Sequence, residues 1–339
     1  MNRKLLDALA CKRTGGRPPV WLMRQAGRYL PSYQELRKKY SLETLFHDPF
    51  LSAQITKMPL EMFPQLDAAI VFSDLLVLLE VWNKKIVYPQ EGGLWVCPPL
   101  QEVGELFPIQ QVEIEQKLWY VLETITRLKG RLSVPLIGFC GAPFTLLCYL
   151  LEGNNHPSFP KALSWMKMHP SQCQEALEIL CQAAILFAKV QIQAGVQVFQ
   201  VFDSWANLLS KELFLQLALP FWKRMQEALK QYQVPILFYS RCNSIYPKEI
   251  ASIEPGGISF DEQVPLITLR RQVPSTIPIQ GNFSPKVLAE ASYQEVYRQT
   301  KEWIEPLTQE NGLIVNLGHG VLPHTPVENV QAFLKAIND

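Results

Sequence analysis

The sequence predicts an α/β protein, a single-domain (β/α)8 barrel whose active site lies at the C-terminal ends of the strands. Three observations predict this fold. Eight short apolar runs are spaced along the 339 residues, stretches with helical periodicity separate several of them, and no linker rich in Gly, Ser or Pro divides the chain. Residues 1–339 are therefore expected to form one domain. An open doubly wound sheet is the alternative, and the count of eight strands favours the barrel.

The predicted strands are mostly continuous apolar runs rather than alternating ones, which is typical of parallel strands buried on both faces. In chain order they are Pro19–Met23, Leu66–Phe72, Val134–Cys140, Val196–Phe202, Val234–Tyr239, Gly257–Phe260, Thr276–Gln280 and Gly312–Leu317. Successive parallel strands need a crossover connection, which is usually a helix.

Four stretches have apolar residues at helical spacing and are predicted to be helices. They are Gln110–Leu128, Cys173–Ala194, Lys211–Gln231 and Val327–Ile337. Gly195 is expected to end the second helix, and Pro220 is expected to kink or split the third. The Pro-containing stretch Tyr88–Pro108 is expected to form an excursion after the second strand.

Composition excludes several classes of protein. Apolar residues make up 48% of the chain and charged residues 19%, which is typical of a globular protein rather than a disordered one. Lys and Arg total 32 against 31 for Asp and Glu, so no overall charge indicates a nucleic-acid partner. No apolar run reaches about 18 residues, so no membrane span is expected. Seven cysteines without a CxxC pair, and a start unlike a signal peptide, favour a reducing, cytoplasmic location.

Polar residues follow the predicted strands at the end where a barrel carries its chemistry. The candidates are Arg24 and Arg28 after the first strand, Asp74 after the second, Tyr149 beyond the third, Ser204 after the fourth, and His319 after the eighth. Glycines on both sides of His319 suit close approach of a ligand to the backbone. These positions predict a site at the barrel mouth without specifying its chemistry.

The same residues also have purely structural explanations. Arg24 and Arg28 are four residues apart and suit a solvated helix face. Paired arginines in the apolar sequence WLMRQAGRYL instead favour bidentate binding of a carboxylate or phosphate. Asp74 and Ser204 suit helix N-caps, and Tyr149 suits a core position.

Common cofactor and metal motifs are missing from the sequence. It contains no GxxxxGK[ST], GxGxxG, GxSxG or HExxH pattern, and no His-x-Cys with a later Cys for a zinc site. No cofactor and no metal ion are therefore expected.

Six blocks of the chain resemble the uroporphyrinogen decarboxylase family. They are PVWLMRQAGRYLP at 19–31, FSD at 72–74, GFCGAPFTLLCYLLEG at 138–153, VFDSWA at 201–206, GNFSP at 281–285 and NLGHGVLP at 316–323. The resemblance implies a homodimeric single-domain barrel without a metal ion or organic cofactor. The reaction that it implies is decarboxylation of the four acetate side chains of uroporphyrinogen III, which gives coproporphyrinogen III in haem and porphyrin biosynthesis.

The resemblance also implies the site residues. The tetrapyrrole substrate is expected to bind to Arg24, Arg28, Arg37, Asp74, Tyr149, Ser204 and His319, of which Asp74, Arg24, Arg28 and Tyr149 are expected to be catalytic. Asp74 suits stabilisation of a cationic pyrrole as an ionised carboxylate, with its pKa lowered by the two nearby arginines. His319 is expected to bind a substrate carboxylate as the cation.

Two loops depart from the family pattern. The segment after FSD reads LLVLLEVWNKK (residues 75–85), without the usual Pro and Gly. Arg241 is followed by Cys242 and Asn243 where the family tends to have Lys and Gly. These departures leave open a non-catalytic tetrapyrrole-binding protein. A corrinoid- or zinc-type methyltransferase of the same barrel superfamily is the other alternative, although it needs a His-x-Cys…Cys set of metal ligands that this sequence lacks.

Overall fold

The computed structural model describes residues 2–12, 16–89 and 94–339. The strands in these ranges are β1 Ala69–Ile70, β2 Lys85–Val87, β3 Trp95–Cys97, β4 Leu136–Gly141, β5 Val198–Asp203, β6 Ile236–Ser240, β7 Gly257–Ser259, β8 Ile279–Phe283 and β9 Leu313–Leu317. Seven of them form a parallel sheet in the order β1-β4-β5-β6-β7-β8-β9, and β2 pairs with β3 in an antiparallel hairpin. Strands that pair with their successors in the chain form the curled wall of a barrel.

The first predicted strand, Pro19–Met23, fills the gap between β9 and β1. Val20 forms a parallel bridge with Val315 of β9, and the Trp21 N–H donates to the Val315 carbonyl at 3.2 Å. On the other side, the Asp67 N–H donates to the Val20 carbonyl at 2.7 Å, and the Asp67 carboxylate accepts from the Val20 N–H at 2.9 Å. A side chain thus replaces part of the regular ladder. The predicted (β/α)8 barrel is confirmed, with an irregular first strand.

The α-helices of the described residues are α1 Lys4–Leu9, α2 Pro31–Lys39, α3 Leu42–His47, α4 Pro49–Met62, α5 Gln111–Lys117, α6 Trp119–Leu128, α7 Pro143–Glu152, α8 Pro160–Met168, α9 Pro170–Ala194, α10 Lys211–Leu217, α11 Leu219–Leu229, α12 Pro247–Ala251, α13 Leu266–Arg270, α14 Pro285–Glu290, α15 Tyr293–Ile304 and α16 Val327–Asn338. Short 3-10 helices lie at Val77–Trp82, Val103–Glu105, Ala206–Leu208, Lys230–Tyr232 and Glu305–Leu307. Within the described ranges, no helix combines the length and apolar character needed to cross a bilayer.

Two of the predicted helices end or divide as local sequence requires, and a third divides where the sequence predicts one continuous helix. α9 ends at Ala194, directly before Gly195, whose φ of 133° is readily adopted by glycine alone. The stretch predicted at Lys211–Gln231 divides into α10 and α11 at Ala218, with Pro220 in the first turn of α11, where its missing N–H costs nothing. The stretch predicted at Gln110–Leu128 also divides, at Leu118, into α5 and α6.

The excursion after β1 is more ordered than the sequence indicates. The divergent segment 75–85 contains a 3-10 helix whose Val77, Leu78 and Leu79 side chains are buried. β2 and β3 follow, with Val87 opposite Trp95, and residues 90–93 between them lie outside the described residues. The sequence does not predict this hairpin because strands of three residues show too little alternation to be recognised.

The barrel interior is filled below its C-terminal end. Leu9 of α1 joins the interior cluster and approaches Gly257, the first residue of β7, so α1 packs against the N-terminal ends of the strands. Above it, Trp21 Nε1 donates to Gln280 Oε1 at 2.8 Å, and Gln280 Nε2 donates to Ser259 Oγ at 2.8 Å. These buried polar groups satisfy one another, so they brace the barrel below its mouth.

Candidate active site

Arg24 lies in a turn directly after the irregular first strand. Its φ is 59°, in the left-handed region that a long side chain rarely adopts. The turn is held at Met23, whose N–H donates to Asn316 Oδ1 at 3.0 Å and whose carbonyl accepts from the Val321 N–H at 2.9 Å. Strained backbone of this kind persists only where the surroundings determine it, and it is found at functional sites. The loop after β9 therefore positions Arg24 at the barrel mouth.

The two arginines of the first block occupy different parts of the site. Residues 24–28 form turns ahead of α2, so the explanation of Arg24 and Arg28 as one helix face is wrong. Arg28 is exposed, and Arg37 on α2 is half-buried. Burial raises the pKa of Tyr33, and the charges of Arg37 and Arg28 oppose that rise, which places both arginines near this ring. Tyr33 packs edge-on against Phe72 at 5.8 Å, so this pair of arginines, here called the cationic rim, lies near the loop that follows β1.

Asp74 follows β1 and is held by its own loop. Its Oδ1 accepts from the Leu76 N–H at 2.8 Å, but it does not cap the next helix, whose N-cap is Leu76. Burial raises the pKa of Asp74 to about 6, while the Leu76 N–H and Arg24 act in the opposite direction and Glu80 adds to the rise. The expectation of a lowered pKa is wrong because loss of hydration outweighs the attraction of one arginine.

Tyr149 combines a buried ring with a polar contact. It lies on α7 with 6% of its surface exposed, and its ring packs edge-on against Phe159 and Trp205 at 5.2 and 6.4 Å. Its hydroxyl donates to Asn155 Oδ1 at 3.0 Å. Burial raises the pKa of Tyr149 to about 12, with a further contribution from Asp74, so the hydroxyl keeps its proton at neutral pH.

The end of β5 fixes the loop that carries Ser204. Asp203 is fully buried, and its Oδ1 accepts from both the N–H (3.1 Å) and the hydroxyl (2.6 Å) of Thr145, at the start of α7. Its Oδ2 accepts from Trp222 Nε1 at 2.9 Å. The Thr145 hydroxyl also accepts from the Trp205 N–H at 3.1 Å. Ser204 is half-buried beside this network and caps no helix, so the N-cap explanation for it is wrong.

His319 lies opposite Arg241, a residue that sequence reasoning did not place in the site. His319 Nε2 is 3.3 Å from Arg241 Nη2. Burial, together with the positive charges of Arg24 and Arg241, lowers the pKa of His319 to about 4. The imidazole is therefore neutral at pH 7, and the expectation of a cationic His319 is wrong. The position of Arg241 directly after β6 was the signal in the sequence that could have identified it.

The structure thus gathers the sequence-predicted residues in two groups. Arg24, Asp74, Tyr149 and His319 interact electrostatically at the barrel mouth. Ser204 follows β5 at the same end, and Arg28 and Arg37 lie at the rim. Such an arrangement can bind a polyanion, stabilise a positive charge with a carboxylate, and orient a reacting group with hydroxyls. In the described part of the chain, no three His, Cys, Asp or Glu side chains are grouped so that they could ligate a metal ion.

Known proteins resemble this chain over its whole length. The family described as uroporphyrinogen decarboxylase (URO-D) matches residues 1–339. The uroporphyrinogen decarboxylase of Protochlamydia amoebophila is 36% identical over 338 residues, which cover 100% of this chain and 92% of the relative. That of Desulfotalea psychrophila is 34% identical over 339 residues, covering 100% and 99%. A solved methyltransferase from Methanosarcina mazei superposes with a TM-score of 0.82 at 21% identity, covering 99% and 98% of the two chains, which shows a common fold.

Proposed function

The chain belongs to the uroporphyrinogen decarboxylase family and is a carboxy-lyase, and from this premise we propose how its own residues carry out the reaction. The substrate is uroporphyrinogen III, whose four acetate side chains lose carbon dioxide to give coproporphyrinogen III. We assign the roles of the residues mainly from one observation, which is that the half-buried carboxylate of Asp74 lies near Arg24 at the mouth of the barrel.

The chemistry requires an electron sink, because loss of carbon dioxide leaves an electron pair on carbon. A pyrrole can provide the sink when a proton adds to its α-carbon and makes the ring cationic. The electrons of the breaking carbon–carboxylate bond then flow into the ring, and an exocyclic methylene forms. Protonation of that methylene and loss of the ring proton give a methyl group and restore the pyrrole. Each cycle replaces one carbon dioxide by one proton.

Asp74 stabilises the cationic ring. An ionised carboxylate under the macrocycle accepts hydrogen bonds from the pyrrole N–H groups, and its negative charge offsets the positive charge that develops on the ring. With a pKa of about 6, most Asp74 is ionised at pH 7. The Leu76 N–H holds the carboxylate in place before substrate arrives, so little reorganisation is needed at the transition state.

The other residues bind and orient the substrate. Arg24 binds a carboxylate next to Asp74, and Arg28 and Arg37 bind carboxylates at the rim, since guanidinium groups pair with carboxylates through two hydrogen bonds. Tyr149 and Ser204 offer hydroxyls that orient the reacting acetate. Neutral His319 offers a hydrogen bond to a further side-chain carboxylate.

The cofactor-free reaction is tested by anaerobic incubation of the purified protein with uroporphyrinogen III, after chelation and without added cofactor. Oxidation of the products to porphyrins allows separation by carboxylate number. Species with seven, six, five and finally four carboxylates are expected. Bound but unconverted substrate would support the non-catalytic tetrapyrrole-binding alternative. Activity that returned only on addition of zinc would contradict the cofactor-free mechanism and point toward the metal-dependent alternative.

Assembly and location belong to the same proposal. A cytoplasmic homodimer with residues 1–339 as one domain is supported by the family resemblance. All seven cysteines are free, which suits a reducing compartment. Sedimentation velocity tests the dimer, and a single monomeric species at micromolar concentration would contradict it.

A further inference from the structure

Arg241 places a positive charge in the barrel mouth without an anionic partner. Its side chain is half-buried, and its Cζ lies 4.7 Å from the centre of the Trp205 ring. Its Nη2 is 3.3 Å from His319 Nε2, and its Nε is buried without a hydrogen-bond partner. Across residues 2–12, 16–89 and 94–339, no Asp or Glu forms an ion pair with it. Partial removal of a guanidinium from water costs free energy, and pairing with an anion offsets that cost.

The loop that carries Arg241 is rigid despite its departure from the family pattern. The buried Asn243 donates through Nδ2 to the carbonyls of Phe238 and Ser259, at 2.9 and 3.0 Å. Its Oδ1 accepts from the Ser240 hydroxyl at 2.6 Å. The Arg241 carbonyl accepts from Gln263 Nε2 at 2.7 Å. Hydrogen bonds on both sides of Arg241 thus hold its backbone in place, whereas the family tends to have a flexible glycine in this loop.

The carboxylates near Arg241 either bind another residue or form no ion pair with it. Arg241 and His319 line a cavity of about 330 Å³ together with Tyr239, Asp261, Glu262 and Gln263. Asp261 accepts from both the N–H and the hydroxyl of Ser244, at 3.0 and 2.7 Å, and Glu262 is exposed. Arg24 and Arg241 both act on His319, which lines this cavity, so their positive charges favour an anionic ligand there.

We propose that Arg241 is a substrate-binding residue that holds one side-chain carboxylate of the tetrapyrrole, with the Trp205 ring as the platform for its guanidinium plane. This inference rests on the proposed function, which supplies a substrate with acetate and propionate carboxylates. The guanidinium has N–H donors beyond the one that faces His319, and such a fork pairs with a carboxylate through two hydrogen bonds. Lysine cannot reproduce this arrangement, because its ammonium is a point charge that does not stack as a plane.

The test compares Arg241→Gln and Arg241→Lys with the unaltered protein. The KM and kcat for uroporphyrinogen III are measured, together with the Kd for oxidised uroporphyrin III and coproporphyrin III by fluorescence quenching. Arg271→Gln is the matched control, because Arg271 is exposed on the segment leading to the N-terminal end of β8. Thermal unfolding establishes that each variant is folded.

Arg241→Gln is expected to raise KM and the uroporphyrin Kd roughly tenfold to a hundredfold, the range for loss of a charge-assisted pair, with a smaller change in kcat. Arg241→Lys should recover only part of this, and Arg271→Gln should match the unaltered protein. An equal loss of coproporphyrin binding identifies the carboxylate as a propionate, and retained coproporphyrin binding identifies an acetate.

Unchanged KM and Kd in Arg241→Gln, with normal turnover, would overturn the inference and leave the proposed function intact. If Arg241→Lys has the KM and Kd of the unaltered protein, the carboxylate does not need two hydrogen bonds from a guanidinium that stacks on Trp205, and that geometry would be overturned. If the unaltered protein binds uroporphyrin through Arg241 but does not convert uroporphyrinogen, the proposed function fails and the binding site stands.

Discussion

Gly320 packs directly against the side chain of Arg24. A Cβ at residue 320 would lie 2.5 Å from Arg24 Cδ, 2.7 Å from Cγ and 3.1 Å from Cβ, so the whole stem of the arginine would have to move. The glycine after His319 therefore has a specific purpose, which is to leave room for an arginine whose backbone is already in the left-handed region.

Gly320→Ala is expected to displace Arg24 and to lower kcat/KM for uroporphyrinogen III by about a hundredfold, since misplacement of about 1 Å can cost that much. Steady-state kinetics measure the loss. Gly104→Ala is the control, because a Cβ at residue 104 meets no atom within 4 Å. Similar activity in both variants would show that the position of Arg24 is unimportant.

Asp74→Asn is expected to stabilise the fold at pH 7. The pKa of Asp74 is raised from 3.8 to about 6, so between these pH values the folded protein holds a proton that the unfolded chain releases. Stability therefore falls as the pH rises across this window, and the full cost of the ionised carboxylate is present at pH 7. Asparagine removes this cost and keeps an oxygen for the Leu76 N–H. Allowing for partial exposure, the free energy of unfolding should rise by about 1–2 kcal/mol at pH 7, and by less near pH 4. Urea denaturation measures it; a less stable variant at pH 7 would contradict the prediction.

Protonation of Asp74 should cause the loss of activity on the acid side of the pH–rate profile. Because the ionised form is active, kcat/KM should fall about tenfold per pH unit below the pKa of about 6. The charged and titratable groups that act on Asp74 or respond to it are Arg24, Glu80, Tyr88, Tyr120 and Tyr149.

Glu80→Gln separates Asp74 from Asp203, whose pKa burial also raises to about 6. Removal of the Glu80 charge lowers the pKa of Asp74 and should move the acid limb to lower pH. The pKa of Asp203 is set by burial and by the hydrogen bonds from Thr145 and Trp222, so an acid limb that belongs to Asp203 should stay in place. An acid limb that stayed in place would assign it to another group.

Thr145→Val should weaken both the fold and the reaction. The substitution removes a donor to Asp203 Oδ1 and the acceptor of the Trp205 N–H. Buried groups left unpaired cost about 1–3 kcal/mol of unfolding free energy. Loosening the loop of Ser204 should also lower kcat. Thr145→Ser keeps the hydroxyl and should retain most of both properties, as urea denaturation and steady-state kinetics would show; equal behaviour of the two variants would contradict the role of the hydroxyl.

The sequence was informative where one physical signal dominates. Continuous apolar runs located the parallel strands, and residues after those strands located the mouth, because both follow from burial and topology. The left-handed turn at Arg24 was beyond such reasoning, since Asn316 of β9 and Val321 in the loop after it hold the turn from almost 300 residues away. That turn separates Arg24 from Arg28, which a spacing of four residues had suggested were neighbours on one face.

The electrostatic expectations failed for a related reason. The pKa of Asp74 depends on how much protein surrounds the carboxylate. The pKa of His319 depends on burial and on the charges of Arg24 and Arg241, the latter 78 residues away. Neither quantity can be read from local sequence. Both residues nevertheless lie where the strand ends placed them.

The most direct test of the central claim is turnover of uroporphyrinogen III by Asp74→Asn under anaerobic conditions, with uroporphyrin III binding measured in parallel. If Asp74 stabilises the cationic pyrrole, Asp74→Asn should lower kcat by about a hundredfold to a thousandfold, which is the range for removal of one preorganised electrostatic partner. The Kd for uroporphyrin III should change only a few-fold. Near-normal turnover by a folded Asp74→Asn protein would contradict this account of the reaction.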